Sequence, residues 1–177
     1  MNNKVKDIIK ESISVHHNVL AEPEIILKIN NIVDLIVNTY KNNGKVLFCG
    51  NGGSAADAQH ISAELSGKFY IDRRPLFAEA LHVNTSYLTA VANDYSYDKV
   101  FSRLVEAKGQ KGDVLIGIST SGTSKNVFEA IKVGDSLGMH TISFCGAEKN
   151  IITHESQISI NVPSNNTPRV QEIHILL

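Results

Sequence analysis

Apolar residues change their period along the chain, and the changes outline the architecture. Over residues 1–43 they recur at helical intervals. Val5, Ile8, Ile9 and Ile13 form one stripe; Ile29, Ile32, Val33, Ile36 and Tyr40 form a second, stopped by Gly44. Residues 45–50 then read as a short apolar run ending in glycine, as expected of a strand buried on both faces. Similar runs follow at 76–81, 113–119, 140–146 and 157–162. Helical patterns at 54–69, 87–91, 97–107 and 124–137 separate most of them. Strands alternating with helices predict a parallel sheet covered on both faces. The reading is one α/β domain over residues 1–177, carrying an N-terminal helical pair. Residues 168–177 begin a further helix with proline in its first turn. That helix ends on bare leucines without a cap, so it is expected to be incomplete.

Composition narrows the function. Seventeen basic against eighteen acidic residues give a formal charge of −1, which leaves no footprint for a nucleic acid. Hydrophobic residues at 42% and charged residues at 20% suit a packed core rather than a disordered chain. The apolar runs are too short to span a bilayer, and the first residues lack the pattern of a signal peptide. The two cysteines, Cys49 and Cys145, each sit inside an apolar run. They form no disulfide framework, and a reducing cytoplasm is the expected location.

Two loops carry candidate chemistry. In Cys49-Gly50-Asn51-Gly52-Gly53-Ser54-Ala55-Ala56-Asp57 a strand enters a glycine-rich turn and a helix leaves it. Glycines let a ligand approach the backbone, and helix-start amides attract an anion. Ser54 is expected to cap that helix, with Asp57 completing a box-like pair. The plainer alternative is a tight strand-to-helix turn, and the pattern matches neither common nucleotide-binding loop. In Ser119-Thr120-Ser121-Gly122-Thr123-Ser124 a run of hydroxyls lies between strand and helix. Capping accounts for one or two of them; phosphate binding accounts for the run. Both loops fall at the carboxyl ends of strands, where open α/β sheets bind ligands.

His60 and Glu64 stand one helical turn apart and off the Ala58, Ile61, Leu65 stripe. Such a pair can share a metal ion, transfer a proton, or simply be a solvated pair. Its place directly after the glycine-rich turn favours a role in the same cleft. Asn93-Asp94 can bind hydroxyls or serve as turn residues. Gln171 lies off the Val170, Ile173, Leu177 stripe, whereas His174 lies nearer to it and reads as a packed histidine.

Taken together, Gly50-Asn51-Gly52-Gly53-Ser54, Asp57-Ala58-Gln59-His60, Ala63-Glu64-Leu65, Ala92-Asn93-Asp94-Tyr95, Gly117-Ile118-Ser119-Thr120-Ser121-Gly122 and Arg169-Val170-Gln171-Glu172-Ile173-His174 are recognisable. The chain resembles the bacterial phosphoheptose isomerase (sedoheptulose 7-phosphate isomerase) family of the SIS domain superfamily, over nearly its whole length. The resemblance implies a three-layer α/β fold with a five-stranded parallel sheet. It implies a homotetramer with active sites at subunit interfaces. It also implies one zinc per subunit, held by His60, Glu64, Gln171 and a further histidine beyond Leu177. The implied reaction converts the phosphorylated seven-carbon sugar sedoheptulose 7-phosphate to D-glycero-D-manno-heptose 7-phosphate, the first step towards activated heptoses for lipopolysaccharide or capsule. Glu64 is then the general base and also contacts substrate, as does Gln171. Ser119, Thr120, Ser121 and Ser124 hold the phosphate, and Asn51, Gly52, Gly53, Asn93 and Asp94 position the sugar. Relatives of another class are non-enzymatic tetramers that bind a sugar phosphate or the bacterial replication initiator. Retention of both His60 and Glu64 favours the enzyme.

Overall fold

The computed structural model describes residues 3–177. Two helices open the chain, α1 (Lys4–Leu20) and α2 (Pro23–Lys41), the second entered through a proline in its first turn. Five strands follow: β1 (Val46–Gly50), β2 (Ala78–Ala80), β3 (Val114–Ser119), β4 (His140–Cys145) and β5 (Ile158–Asn161). They form one parallel sheet in the order β2-β1-β3-β4-β5. The intervening helices are α3 (Gly53–Ser66), α4 (Thr85–Asp94), α5 (Ser102–Lys108), α6 (Lys125–Ser136), α7 (Ile151–Glu155) and α8 (Thr167–Leu176).

Strand side chains alternate between two cores, as the pleat requires. Val46 and Phe48 of β1, with Ile116, Ile118 and Phe144, pack towards α1, α2, α3 and α8. Leu47 and Cys49, with Leu115 and Cys145, pack towards α4, α5, α6 and α7. The sheet is therefore the middle of three layers, which explains why its central strands read as continuous apolar runs. Burial pushes the thiol of Cys49 up to about 12 and that of Cys145 to about 11, so both stay protonated and inert.

The strand order places the functional edge. From β1 the chain moves outward to β2, then returns to the other side of β1 as β3. The connections leaving β1 and β3 diverge at this point and open a crevice at their carboxyl ends. The glycine-rich turn follows β1 and the hydroxyl loop follows β3. The helix α8 is tied down beside them. Arg169, 7% exposed, donates to the Ile8 carbonyl at 3.0 Å and pairs with Glu172. Ser12 donates to the same Glu172 carboxylate at 2.8 Å, so α1 is clamped to α8.

Three local expectations change. The segment predicted as one helix over 97–107 is a short 3-10 helix (Tyr97–Lys99) followed by α5. The helix predicted over 54–69 stops at Ser66, before Gly67. And α7 appears where no helix was expected: its Asn150 side chain accepts from the Ile152 and Thr153 amides while Thr153 reaches back to the Asn150 amide.

Candidate active site

Gly52 has φ 55°, a left-handed conformation that favours glycine, and it sits at the N-cap of α3. Ser54, expected to cap the helix, does not: it lies inside the first turn, 3% exposed, and no side chain caps α3. The sharp glycine turn has already displaced the cap by two residues. Asp57 therefore completes no box. Its Oδ2 is buried without a hydrogen-bond partner among the described residues, and burial pushes its carboxyl upward against the opposing influence of His60. The Ala55 and Ala56 amides already bond the Gly52 carbonyl at 3.1 and 3.2 Å, which leaves those of Gly53 and Ser54 as donors at the head of the turn.

Gly53 answers a second demand. A Cβ there would lie 2.2 Å from Nε2 of Gln171, so only glycine lets the Gln171 carboxamide rest on the turn. This brings α8 against the start of α3.

The hydroxyl loop is knitted together internally. Ser119, 3% exposed, accepts from the Gly122 amide at 3.1 Å and lies 3.0 Å from the Ser124 hydroxyl. Ser121 lies 3.0 Å from the Thr123 hydroxyl and accepts from the Thr123 amide at 3.3 Å. Ser124 occupies the N-cap of α6 yet makes no capping bond with its side chain. Simple capping thus fails to explain these hydroxyls. Thr120 and Ser121 line a small pocket with Gly146 and Thr167.

At the other end of α3, Nε2 of His60 stands 3.4 Å from Oε1 of Glu64. Their side chains are 61% and 37% exposed, and they border a groove walled by Phe48, Phe144 and Leu176. Arg73 donates to the backbone carbonyls of Glu64 at 3.2 Å and Leu65 at 2.9 Å, fixing this end of the helix. Among the described residues no three His, Cys, Asp or Glu side chains converge. A metal ion here would draw on the pair together with the Gln171 amide oxygen. Nitrogen and oxygen donors of this kind suit zinc; Gln171 rests at Gly53, about two helical turns before His60 on the helix that carries the other two donors.

The predicted residues do not all meet within one chain. The His60–Glu64 groove and the Thr120–Ser121 pocket are separate depressions. The helix α8 joins them: Thr167 lines the pocket, Ile175 lines the groove, and Gln171 lies between them at four-residue spacing on the same helix face. Asn93 and Asp94 close α4, where the Asn93 amide donates to Asp94 at 2.9 Å; both are exposed, and neither hydrogen-bonds another predicted site residue. His174 is fully buried, 3.3 Å from the Cys145 carbonyl and tilted against Phe144. Burial pushes its pKa down to about 4, and it is the packed histidine the stripe implied.

Sequence reasoning missed Thr167, Tyr97 and Asn126. The Tyr97 hydroxyl donates to Oδ1 of Asn51 at 3.2 Å, and Asn51 and Asn126 exchange two amide hydrogen bonds of 2.9 Å. An asparagine two residues into the helix after the hydroxyl loop was the available signal.

Comparison with known proteins identifies the family. The SIS domain family model matches residues 8–146. A phosphoheptose isomerase from Clostridium acetobutylicum is 49% identical over 177 residues, covering 100% of this chain and 90% of that protein. One from Aliarcobacter butzleri is 55% identical over 142 residues, covering 80% of this chain and 75% of that protein. The solved structure of phosphoheptose isomerase from Neisseria gonorrhoeae superposes with a TM-score of 0.92 at 42% identity, covering 98% of this chain and 92% of that one.

Proposed function

The chain belongs to the phosphoheptose isomerase family of SIS domain proteins, and from that premise we propose how its own residues interconvert sedoheptulose 7-phosphate and D-glycero-D-manno-heptose 7-phosphate. It is an aldose–ketose isomerase of heptose biosynthesis. The observation that carries the mechanism is the Thr167–Gln171–Ile175 face of α8, which connects the hydroxyl pocket to the His60–Glu64 groove.

Lengths agree with a substrate lying along that face. A helix rises 1.5 Å per residue, so Thr167 and Ile175 are about 12 Å apart along the axis. An extended chain advances roughly 1.2 Å per bond, so the bonds from C1 to phosphorus span roughly 10 Å. With the phosphate held by Ser119, Thr120, Ser121 and Ser124, the carbonyl end reaches the groove. Asn51, Gly52 and Gly53, with Asn93 and Asp94, position the hydroxyls between. The Glu64 carboxylate takes a proton from C1 of the ketose, or from C2 of the aldose, and returns it to the other carbon through an enediolate, while the hydroxyl proton passes between O1 and O2. The Gln171 carboxamide offers a donor to the oxygens that gain charge.

His60, Glu64 and Gln171 would hold one zinc per subunit. Bound there, zinc supplies Lewis-acid polarisation of the sugar's oxygens. Loss of zinc from dialysed protein should show as less than one equivalent by metal analysis, restored on titration. A protein that takes up no stoichiometric metal would remove this part of the reading.

We read the chain as one SIS domain with a helical extension, working in the cytoplasm as a homotetramer. Val5, Ile9, Ile13, Leu20, Leu27 and Val33 of α1 and α2 are exposed, between 51% and 73%. Apolar residues on so much of two helices call for a cover. Since no helix among the described residues is long and apolar enough to cross a membrane, partner subunits are the cover we favour. Light scattering at micromolar concentration should give four subunits; a monodisperse monomer refutes the assembly.

The activity itself is tested by incubating the full-length protein with sedoheptulose 7-phosphate and following aldoheptose 7-phosphate by NMR. Appearance of the aldose supports the reading, and its absence from metal-loaded protein sinks it.

A further inference from the structure

Asn126 is 3% exposed, two residues into α6, and takes no part in the chemistry assigned above. Its Oδ1 accepts from the Val127 amide at 3.0 Å and from Nδ2 of Asn51 at 2.9 Å. Its Nδ2 donates to Oδ1 of Asn51, also at 2.9 Å.

The polarity of this pair is fixed by its inner end. A backbone N–H can only donate, so the atom of Asn126 facing Val127 is the oxygen. The other atom of Asn126 is then the NH2 group, and the atom of Asn51 opposite it is an oxygen. That oxygen also accepts from the Tyr97 hydroxyl at 3.2 Å. Both lone pairs of Asn51 Oδ1 are therefore committed, and so is one hydrogen of its Nδ2. A single N–H remains for a ligand. Asn51 can donate to an oxygen of a sugar phosphate but cannot accept from one of its hydroxyls.

The same pair spans the crevice. Asn51 belongs to the turn after β1, and Asn126 to the helix that leaves the hydroxyl loop after β3. The reciprocal bonds bind the two ligand loops into one unit at the point where the chain connections diverge. Tyr97, 51% exposed, adds the segment after α4 from the outside.

We propose that Asn126 is a positioning residue for the isomerisation, holding Asn51 in one amide orientation, with Tyr97 as its outer brace. This rests on the isomerase reading given above. The role concerns the sugar chain and its reacting end rather than the phosphate, which has its own hydroxyls.

The test compares wild type, Asn126→Asp, Asn126→Ala and Tyr97→Phe. Each is assayed for kcat and KM with sedoheptulose 7-phosphate, for inhibition by inorganic phosphate, and for melting temperature. Asn126→Asp keeps the size and the acceptor for Val127 but sets an oxygen against Asn51 Oδ1. It should lower kcat by about 10²-fold, the scale expected when a positioning contact is lost. Inhibition by inorganic phosphate should stay within twofold of wild type. Asn126→Ala should fall in the same way. Tyr97→Phe, at an exposed site that does not threaten folding, should lower kcat roughly threefold to tenfold with the melting temperature unchanged. Inactive wild type overturns the isomerase reading itself. With active wild type, a normal kcat in the Asn126 variants, or a parallel loss of phosphate inhibition and turnover, overturns the positioning role. If the Asn126 variants fail to fold, Tyr97→Phe turning over at the wild-type rate overturns it.

Discussion

The hydroxyl loop after β3 and the far end of α3, the two ends of the proposed site, are finished to different degrees. In the loop, the hydroxyls of Ser119, Ser121, Thr123 and Ser124 all have partners within the loop. On α3, His60 and Glu64 face each other at 3.4 Å with exposed side chains and border a groove. On the proposed reading the loop is a phosphate cradle whose hydroxyls are already held in place by one another. Its neutral hydrogen bonds contribute about 0.5–1.5 kcal/mol each, and bonds to a phosphate about 1.5–3 kcal/mol, so exchanging one set for the other favours binding. The α3 end is chemistry left open for substrate, for a metal ion and for whatever covers the groove. On the proposed reading, binding and catalysis are separated along a single face of α8.

The largest effect should come from dismantling the cradle. Replacing Ser119 and Ser121 together by alanine removes two bonds to charged oxygens, a loss of about 3–6 kcal/mol in substrate binding. Titration with sedoheptulose 7-phosphate should show affinity weakened by at least two orders of magnitude while circular dichroism stays unchanged. Undiminished affinity would place the phosphate elsewhere.

A somewhat smaller effect should appear with acid, and it acts beneath the loop rather than on α3. His174 sits behind the Cys145 carbonyl, next to Gly146, whose amide donates to the Thr120 carbonyl at 3.0 Å. Burial holds the folded pKa of His174 at about 4, below the ordinary 6.5. Above pH 6.5 both folded and unfolded forms are neutral here. As pH falls below 6.5 the unfolded chain takes up a proton that the folded chain refuses, so stability declines until about pH 4. The full displacement amounts to roughly 3 kcal/mol. Urea melts between pH 7 and 4 should show this slope, and His174→Leu should flatten it. An unchanged slope in that variant would assign the acid sensitivity to other groups.

Much of this contrast was legible in the sequence. The central strands announced themselves because burial on both faces produces unbroken apolar runs, as at Val46–Gly50 and Val114–Ser119. The two loops and the His60–Glu64 pair were legible because their chemistry is local, within a turn or one helical repeat. His174 was legible as a packed histidine from its place beside one apolar stripe. What escaped depended on distance along the chain. The place of Asn126 just after the hydroxyl loop marks it as polar and near the site, but no local pattern names Asn51, its partner 75 residues away. Thr167 joins the hydroxyl pocket only because α8 folds back across the end of the sheet. The cap expected at Ser54 failed for a different reason: Gly52 adopts a backbone conformation that starts the helix earlier, a choice that residue preferences for capping do not reveal. The split at Tyr97–Lys99 and the five-residue α7 are too short for periodicity to resolve.

The central claim is that Glu64, at the open end of α3, moves the proton, and it is tested most directly by solvent exchange. Glu64→Gln keeps the size and the hydrogen-bonding capacity but removes the base. With the full-length, metal-loaded variant in deuterated water, NMR would follow both isomerisation and loss of the C2 proton of the aldoheptose. Both rates should fall by about 10²-fold or more, while substrate affinity, set by the untouched hydroxyl loop, stays within a fewfold of wild type. Exchange and isomerisation at nearly the wild-type rate would contradict the account and transfer the proton to another group.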